Sequence, residues 1–147
     1  MSRSPIQTAL LERLGPITKL PDNSYQATIT FDEKFPGFAG HFPGNPIVPG
    51  ICEISLVELL AQLATGNDAL RTKRITHVKF RTPFLPGDCA TFLFTIQTTP
   101  DTTAIHATAS TPQNKNMATI NLVLDSCAAT RRAVRTQDEG TETGITS

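Results

Sequence analysis

Cysteine is scarce in this chain of 147 residues, and its distribution argues against two kinds of site. The three cysteines, Cys52, Cys89 and Cys127, are odd in number and widely spaced, so they match neither a disulfide framework nor the paired ligands of a zinc site. The charge lacks a dominant sign too, because 13 basic residues balance 13 acidic ones, which gives the chain no overall preference for nucleic acid. We therefore expect no metal, no cofactor and no nucleic-acid partner, in a reducing, cytoplasmic compartment.

Long uninterrupted apolar segments are missing as well. The longest apolar run, residues 51–64, contains Glu53 and Glu58, which argues against a membrane span. The N-terminal residues carry charges and no apolar core, so the sequence predicts no signal peptide. The length suits one domain, which we expect over residues 1–127, and the polar composition of residues 128–147 predicts a disordered tail.

The stretch from Gly40 to Gln62 differs from the rest of the chain. It opens with His41 and Phe42 and then places three prolines and two glycines within residues 43–50, a composition that gives stiff, irregular backbone. Residues 51–64 are apolar on nearly every side and contain no proline or glycine, so they predict a long helix that is buried all round. A stiff loop that brings a histidine to such a helix favours a functional site. The alternative is an inert loop whose histidine is exposed or hydrogen-bonded.

The rest of the chain predicts one short helix and about five strands. Residues 4–14 form the helix, with Ser4 as its cap and a Gly-Pro pair at its end. Apolar and polar residues alternate in the strand segments, which are 25–31, 75–81, 90–98, 103–110 and 117–125. His77 and His106 fall opposite the apolar residues of their strands and are expected to be exposed. The pattern predicts an α+β fold in which an antiparallel sheet curls around the long helix, and a second copy of the chain is expected to cover what the sheet leaves open.

Two segments carry a family resemblance. GHFPGNPIVPG at 40–50 resembles the active-site loop of the 3-hydroxyacyl-acyl carrier protein dehydratases of fatty acid synthesis, and VKFRTPFLPGD at 78–88 resembles their second signature. The resemblance covers residues 25–125. It implies the hot-dog fold, an antiparallel sheet wrapped around one long buried helix, which pairs into dimers. It also implies a dehydratase that makes a 2-enoyl thioester.

The resemblance assigns roles to residues around the start of the helix. It implies that His41 is the catalytic base, which takes a proton from C2 of the substrate. It also implies that the backbone N–H groups of Gly50 and Ile51 hold the thioester carbonyl. Unpaired amides and the positive dipole end at a helix N-terminus give that second role an independent physical basis. Phe42, beside the histidine, is expected to contact the substrate.

The acidic partner of the histidine departs from the family pattern. Counted without gaps from His41, the usual acidic position falls on Ser55, which we place among the substrate-binding residues. Glu58 lies within about 60° of Ser55 around the helix, whereas Glu53 points some 160° away. We therefore prefer Glu58 as the acid, which also matches the family's Glu-x-x-Ala-Gln if three residues are inserted. Glu53 is expected at an interface or as a cap. The alternative is that Glu58 is hydrogen-bonded within the helix packing and that Ser55 marks a changed or lost activity.

Three functions remain open at this point. The first is dehydration of a 3-hydroxyacyl chain on an acyl carrier protein, and the second is a thioesterase of the same fold that uses Glu58 or Ser55. The third is a non-catalytic subunit that binds the carrier protein and pairs with an active partner. In each case the basic residues Arg71, Lys73 and Arg74 are the expected dock for the acidic carrier. We expect a homodimer or a larger even oligomer, with a heterodimer as the alternative.

Overall fold

The computed structural model describes residues 3–38, 44 and 46–126. Its helices are α1 (Pro5–Arg13), α2 (Gly50–Thr65) and a short 3₁₀ helix at Pro36–Phe38. Its strands are β1 (Thr18–Lys19), β2 (Tyr25–Phe31), β3 (Leu70–Phe80), β4 (Asp88–Thr98), β5 (Thr103–Ser110) and β6 (Ala118–Ser126). They form one antiparallel sheet in the order β1-β2-β4-β5-β6-β3, which confirms the predicted α+β fold. The predicted tail over 128–147 lies outside the described residues, as does Cys127.

Helix α1 begins where its sequence predicts. Ser4 Oγ accepts a hydrogen bond from the Gln7 amide at 3.2 Å, and Gln7 Oε1 accepts one from the Ser4 amide at 3.1 Å, so the two residues form a capping box. Pro5 occupies the first helical position, where its missing N–H costs nothing. The buried residues Ala9 and Leu10 pack against the domain core. This small helix therefore closes one side of the core.

Helix α2 forms the centre of the domain, and its bounds agree closely with the predicted ones. It ends at Gly66, which adopts the left-handed conformation (φ 72°) and donates its N–H to the Gln62 carbonyl. Most of its apolar side chains are buried against the inner faces of the strands. Its side chains are not buried all round within one chain, since Ile51 is 67% exposed and Leu63 is exposed too. The helix is thus wrapped by the sheet, with an open stripe that begins at Ile51 and a separate exposed residue, Leu63, about 120° around the axis.

Strand β3 lies at the edge of the sheet and pairs only with β6 among the described strands. It begins five residues before the predicted start at residue 75, because two bulges, at Lys73 and Thr76, interrupt the alternation on which the prediction depended. If those two residues are skipped, the remaining sequence alternates without error. Its inner-face residues are Leu70, Thr72, Ile75, Val78 and Phe80, and its outer-face residues are Arg71, Arg74, His77 and Lys79. The bulges therefore place apolar side chains on one face and basic ones on the other.

Ile75, Val78 and Phe80 belong to the inner face of the sheet, yet all three side chains are exposed. Their cross-strand partners on β6, which are Leu122, Ile120 and Ala118, are buried under α2. The edge strand β3 thus extends beyond the part of the sheet that α2 of the same chain covers.

Strand β1, of two residues, was not predicted, because so short a segment shows no alternation. The exposure predicted for His77 and His106 is confirmed. None of the helices in the described part of the chain is long and apolar enough to span a membrane.

Candidate functional site at the start of helix α2

Within the part of the chain that the structure describes, the first turn of α2 contains backbone amides that have no hydrogen-bond acceptor. The N-cap is Pro49, whose side chain has no atom that can accept a hydrogen bond from these amides, and the first amides of any helix lack an intrahelical partner. The Cys52 amide bonds back to the Pro49 carbonyl at 3.0 Å, and the Val48 amide bonds to the Phe84 carbonyl at 2.9 Å, so the entry to the helix is fixed. Among the described residues, the amides of Gly50 and Ile51 have no hydrogen-bond acceptor, so they are the ones that can donate to another group.

Gly50 lies directly under an aromatic ring. A Cβ added at this position would lie 2.6 Å from Cε2 and 2.8 Å from Cζ of Phe80. Both distances are well inside the contact distance of about 3.5 Å for two carbon atoms, so only glycine fits while the ring stays where it is. The last residue of β3 therefore packs on the first residue of α2.

Glu58 joins α2 to β3. Its Oε1 accepts two hydrogen bonds from Thr72, one from the backbone amide at 2.7 Å and one from the hydroxyl at 2.8 Å. Both glutamate and threonine are half-buried. Ser55 is half-buried one turn earlier, and Ile51 continues the same stripe. The structure thus brings Ser55 and Glu58 to the open side of the helix, and both hydrogen bonds end on one carboxylate oxygen, which leaves Oε2 to face another group.

Glu53 is the residue whose environment sequence reasoning missed. Only 2% of it is exposed, and its Oε1 has no hydrogen-bond partner in the part of the chain that the structure describes, so it lies inside its own chain and is neither the cap nor the interface residue that we expected. Burial raises its pKa from the ordinary 4.5 to about 8. Burial also raises the pKa of the neighbouring Cys52 thiol, with a further contribution from the Glu53 charge. The signal was present in the spacing, because Glu53, Val57 and Leu60 share one helical stripe that is otherwise apolar.

The basic residues at the start of β3 differ in their surroundings. Arg71 donates from Nη1 to the carbonyls of Asp68 and Leu70, both at 2.8 Å. Lys73 Nζ lies 4.0 Å from the Asp125 carboxylate. Arg74 is exposed on the outer face. These three residues therefore lie close to Thr72, beside the middle of α2 where Glu58 lies, and about 20 Å along the strand from Phe80.

His41 and Phe42, the predicted base and substrate contact, lie outside the described residues. Their roles stay predictions from sequence.

Comparisons with known proteins point in one direction. A family model described as ApeI-like, ApeI dehydratase, matches residues 18–121. The 3-hydroxyacyl-acyl-carrier-protein dehydratase FabZ of Wolbachia sp. subsp. Drosophila simulans (strain wRi) is 41% identical over 76 residues, which are 46% of this chain and 52% of that protein. FabZ of Ehrlichia chaffeensis (strain ATCC CRL-10679 / Arkansas) is 39% identical over 88 residues, 54% of this chain and 57% of that protein. The chain thus spans about half the length of the curated relatives it matches.

Solved structures agree on the fold. The dehydratase heterocomplex ApeI:P from Xenorhabdus doucetiae superposes with a TM-score of 0.63 at 20% identity, covering 76% of this chain and 96% of that one. The PaaI protein of the E. coli phenylacetic acid degradation operon superposes with a TM-score of 0.61 at 18% identity, covering 82% of this chain and 86% of that one. Both are hot-dog folds, and the hot-dog fold predicted from the sequence is confirmed.

Proposed function

The chain belongs to the ApeI-like dehydratase family, and we propose that it removes water from a 3-hydroxyacyl thioester on an acyl carrier protein to give the trans-2-enoyl thioester. The observation on which this proposal rests is the family match over residues 18–121. The names of the FabZ relatives support the same reaction and the same carrier. The start of α2 supports it independently, because it offers the backbone donors that a thioester oxygen needs. We include in this proposal the cytoplasmic location that the sequence leads us to expect.

The proposed reaction has three steps that balance. His41 takes the proton from C2, and the negative charge that develops on the thioester oxygen is stabilised by the amides of Gly50 and Ile51. The electron pair then forms the C2–C3 double bond as the C3–O bond breaks. Glu58 gives its proton to the departing hydroxyl, which leaves as water. A proton exchange between the imidazolium and the carboxylate restores both groups.

Glu58 is the carboxyl that the contacts support best for the acid. It lies on the open stripe of α2 with Ser55, and Thr72 holds one of its oxygens so that the other has a defined direction. Glu53 has the raised pKa expected of an acid, but its side chain is enclosed by the core of its own chain. The position of the side chain therefore favours Glu58 as the acid, and an experiment can distinguish the roles of the two carboxyls.

A second subunit completes the proposed site. The exposed edge of β3, with Ile75, Val78 and Phe80 on its inner face, adjoins the exposed Ile51 of α2. We propose that two such units pair along this edge, so that the open stripe of one helix meets the His41 loop of the other chain. A homodimer satisfies this requirement. The heterocomplex named for the Xenorhabdus neighbour makes a different second subunit the alternative.

Ser55 supports one other function. Because the usual acidic position holds a residue that cannot titrate, the chain could bind the carrier protein and leave catalysis to a different subunit. This non-catalytic reading predicts that the purified chain binds a 3-hydroxyacyl carrier protein without changing its mass.

The test is mass analysis of a 3-hydroxyacyl carrier protein incubated with the purified chain. Loss of water supports the dehydratase, release of free acid supports a thioesterase, and no change supports the non-catalytic subunit. His41→Ala should abolish water loss, whereas the matched control His106→Ala, which removes an exposed histidine of β5, should leave the rate unchanged. Full activity of His41→Ala would refute the proposed base.

The acid is assigned with Glu58→Gln, Glu53→Gln and Ser55→Ala, measured side by side. We expect a loss of about 100-fold or more in Glu58→Gln only, which is the range for a general acid. A selective loss in Ser55→Ala or in Glu53→Gln would move the role to that residue.

Carrier docking is tested with Arg74→Glu, which reverses an exposed charge at the start of β3. The variant should raise the KM for the carrier-bound substrate and leave turnover of a small thioester analogue intact, because the analogue makes no carrier contact. Equal losses with both substrates would argue against docking at this end of the strand.

A further inference from the structure

Phe80 differs from the other phenylalanines that the structure describes. Phe31, Phe35, Phe38, Phe84, Phe92 and Phe94 are all buried in the core. Phe80 is 43% exposed, so its ring contributes little to that core. What the ring does contact is the backbone of Gly50, at the start of α2.

The backbone that carries Phe80 is held firmly. Phe80 pairs with Ala118 of β6, and the next two amides, of Arg81 and Thr82, both donate to the Met117 carbonyl at 2.9 and 3.2 Å. The ring therefore projects from a fixed point of the sheet onto the helix. A contact of this kind sets the distance between the end of β3 and the first turn of α2.

That first turn contains the amides of Gly50 and Ile51, for which the described residues provide no acceptor. The exposed Ile51 side chain and the Phe80 ring both adjoin these amides, so the donors have apolar neighbours. A few backbone donors among apolar side chains is the usual composition of a small-molecule site. An acyl thioester, with one polar oxygen and an apolar chain, suits that composition.

We propose that Phe80 is a positioning residue for the thioester: its ring packs on Gly50 and fixes the place of the Gly50 and Ile51 amides. The inference rests on the proposed function for its substrate, and it adds a residue that acts through the helix backbone. It explains why position 50 holds glycine, since any Cβ there would displace either the ring or the helix.

The size of the effect follows from the contact. A Cβ at 2.6 Å must retreat by about 1 Å to reach an ordinary carbon–carbon separation of about 3.5 Å. Misplacement of catalytic groups by about 1 Å lowers rates by up to about 100-fold. Gly50→Ala should therefore lower kcat by about 10- to 100-fold, with a smaller change in KM.

The decisive experiment is a double-mutant cycle of Gly50→Ala and Phe80→Ala. Once the ring is gone, the added methyl group has space, so Gly50→Ala should cost less than about twofold in the Phe80→Ala background. Phe80→Ala alone should lower kcat, and Phe80→Tyr, which keeps the ring face, should restore most of the rate. Leu93→Ala is the matched control, because Leu93 is also 43% exposed but lies on β4 away from the helix.

Two results would overturn the proposal: an equal cost of Gly50→Ala in both backgrounds, or an unchanged kcat in Phe80→Ala. Size-exclusion chromatography accompanies each variant, and if Phe80→Ala does not assemble, the cycle is run with Phe80→Leu. The same double-mutant cycle is also run with a second readout, the Kd of an unreactive amide analogue of the acyl thioester. If the wild-type chain fails to release water, the proposed function fails, while the binding cycle still decides whether Phe80 positions the amides.

Discussion

The buried carboxyl of Glu53 makes the stability of this domain depend on pH in a defined direction. Its folded-state pKa, about 8, lies above the ordinary value of 4.5 that it has in the unfolded chain. Below pH 4.5 the carboxyl is protonated in both the folded and the unfolded chain, so its titration does not change the free energy of unfolding with pH. As the pH rises from 4.5 to 8, only the unfolded chain releases the proton, so the free energy of unfolding falls.

The magnitude follows from the same two values. Each pH unit in this window lowers the free energy of unfolding by about 1.4 kcal/mol, which gives an upper bound of about 5 kcal/mol between pH 4.5 and pH 8. Glu53→Gln removes the titration and keeps nearly the same shape. Relative to the wild type, the free energy of unfolding of the variant should therefore rise by about 3 kcal/mol between pH 5 and pH 7. Above pH 8 the difference between the two proteins should stay constant.

Urea unfolding followed by circular dichroism, at pH 5, 6, 7, 8 and 9 and at fixed protein concentration, measures this difference. Glu33→Gln, at an exposed glutamate, is the control for a change of net charge. A difference between wild type and Glu53→Gln that stays constant from pH 5 to pH 8 would refute the reasoning, since it would mean that folding leaves the carboxyl as well solvated as in the unfolded chain.

Three further predictions concern separate parts of the molecule. Ser4→Ala should lower the free energy of unfolding by about 1 kcal/mol, because it removes the cap of α1, and an unchanged urea midpoint would contradict that role. Thr72→Val should lower the free energy of unfolding by about 1 kcal/mol through the lost hydroxyl bond to Glu58. If Thr72 orients Glu58, the variant should also have a lower kcat. A kcat equal to that of wild type would show that this hydrogen bond affects stability alone. Ile75→Asp should produce monomers in sedimentation experiments, because it puts a charge on the apolar edge of β3, and intact dimers would place the interface elsewhere.

The sequence was sufficient for elements with regular patterns. Strands β2 and β5 have the predicted bounds, and α2 extends the predicted helix by one residue at each end, because alternation, apolar continuity and the terminal glycine each have a simple physical cause. Strand β3 was predicted too short, since its two bulges break the period on which the reading relied. A pattern of single residues cannot show where a strand bulges.

The candidate site was predictable to a smaller extent. The start of α2 and the stripe of Ser55 and Glu58 followed from helix geometry and from the resemblance. The contact of Glu58 with Thr72 joins residues 14 positions apart, and the contact of Phe80 with Gly50 joins residues still further apart, so local pattern gave no sign of either. Both depend on how the edge strand crosses the helix, which only the assembled fold determines.

The two bulges of β3 give the edge strand an unusual tolerance to change in length. Lys73 and Thr76 each occupy a place with no residue opposite, so losing either one would leave a regular ladder with every neighbouring side chain still facing its original side. Loss of Arg74 or Ile75 would be absorbed in the same way, because Lys73 or Thr76 would then take the vacated place and the residues beyond would keep their faces. Among homologous chains, one-residue deletions in this strand should therefore collect at residues 73–76.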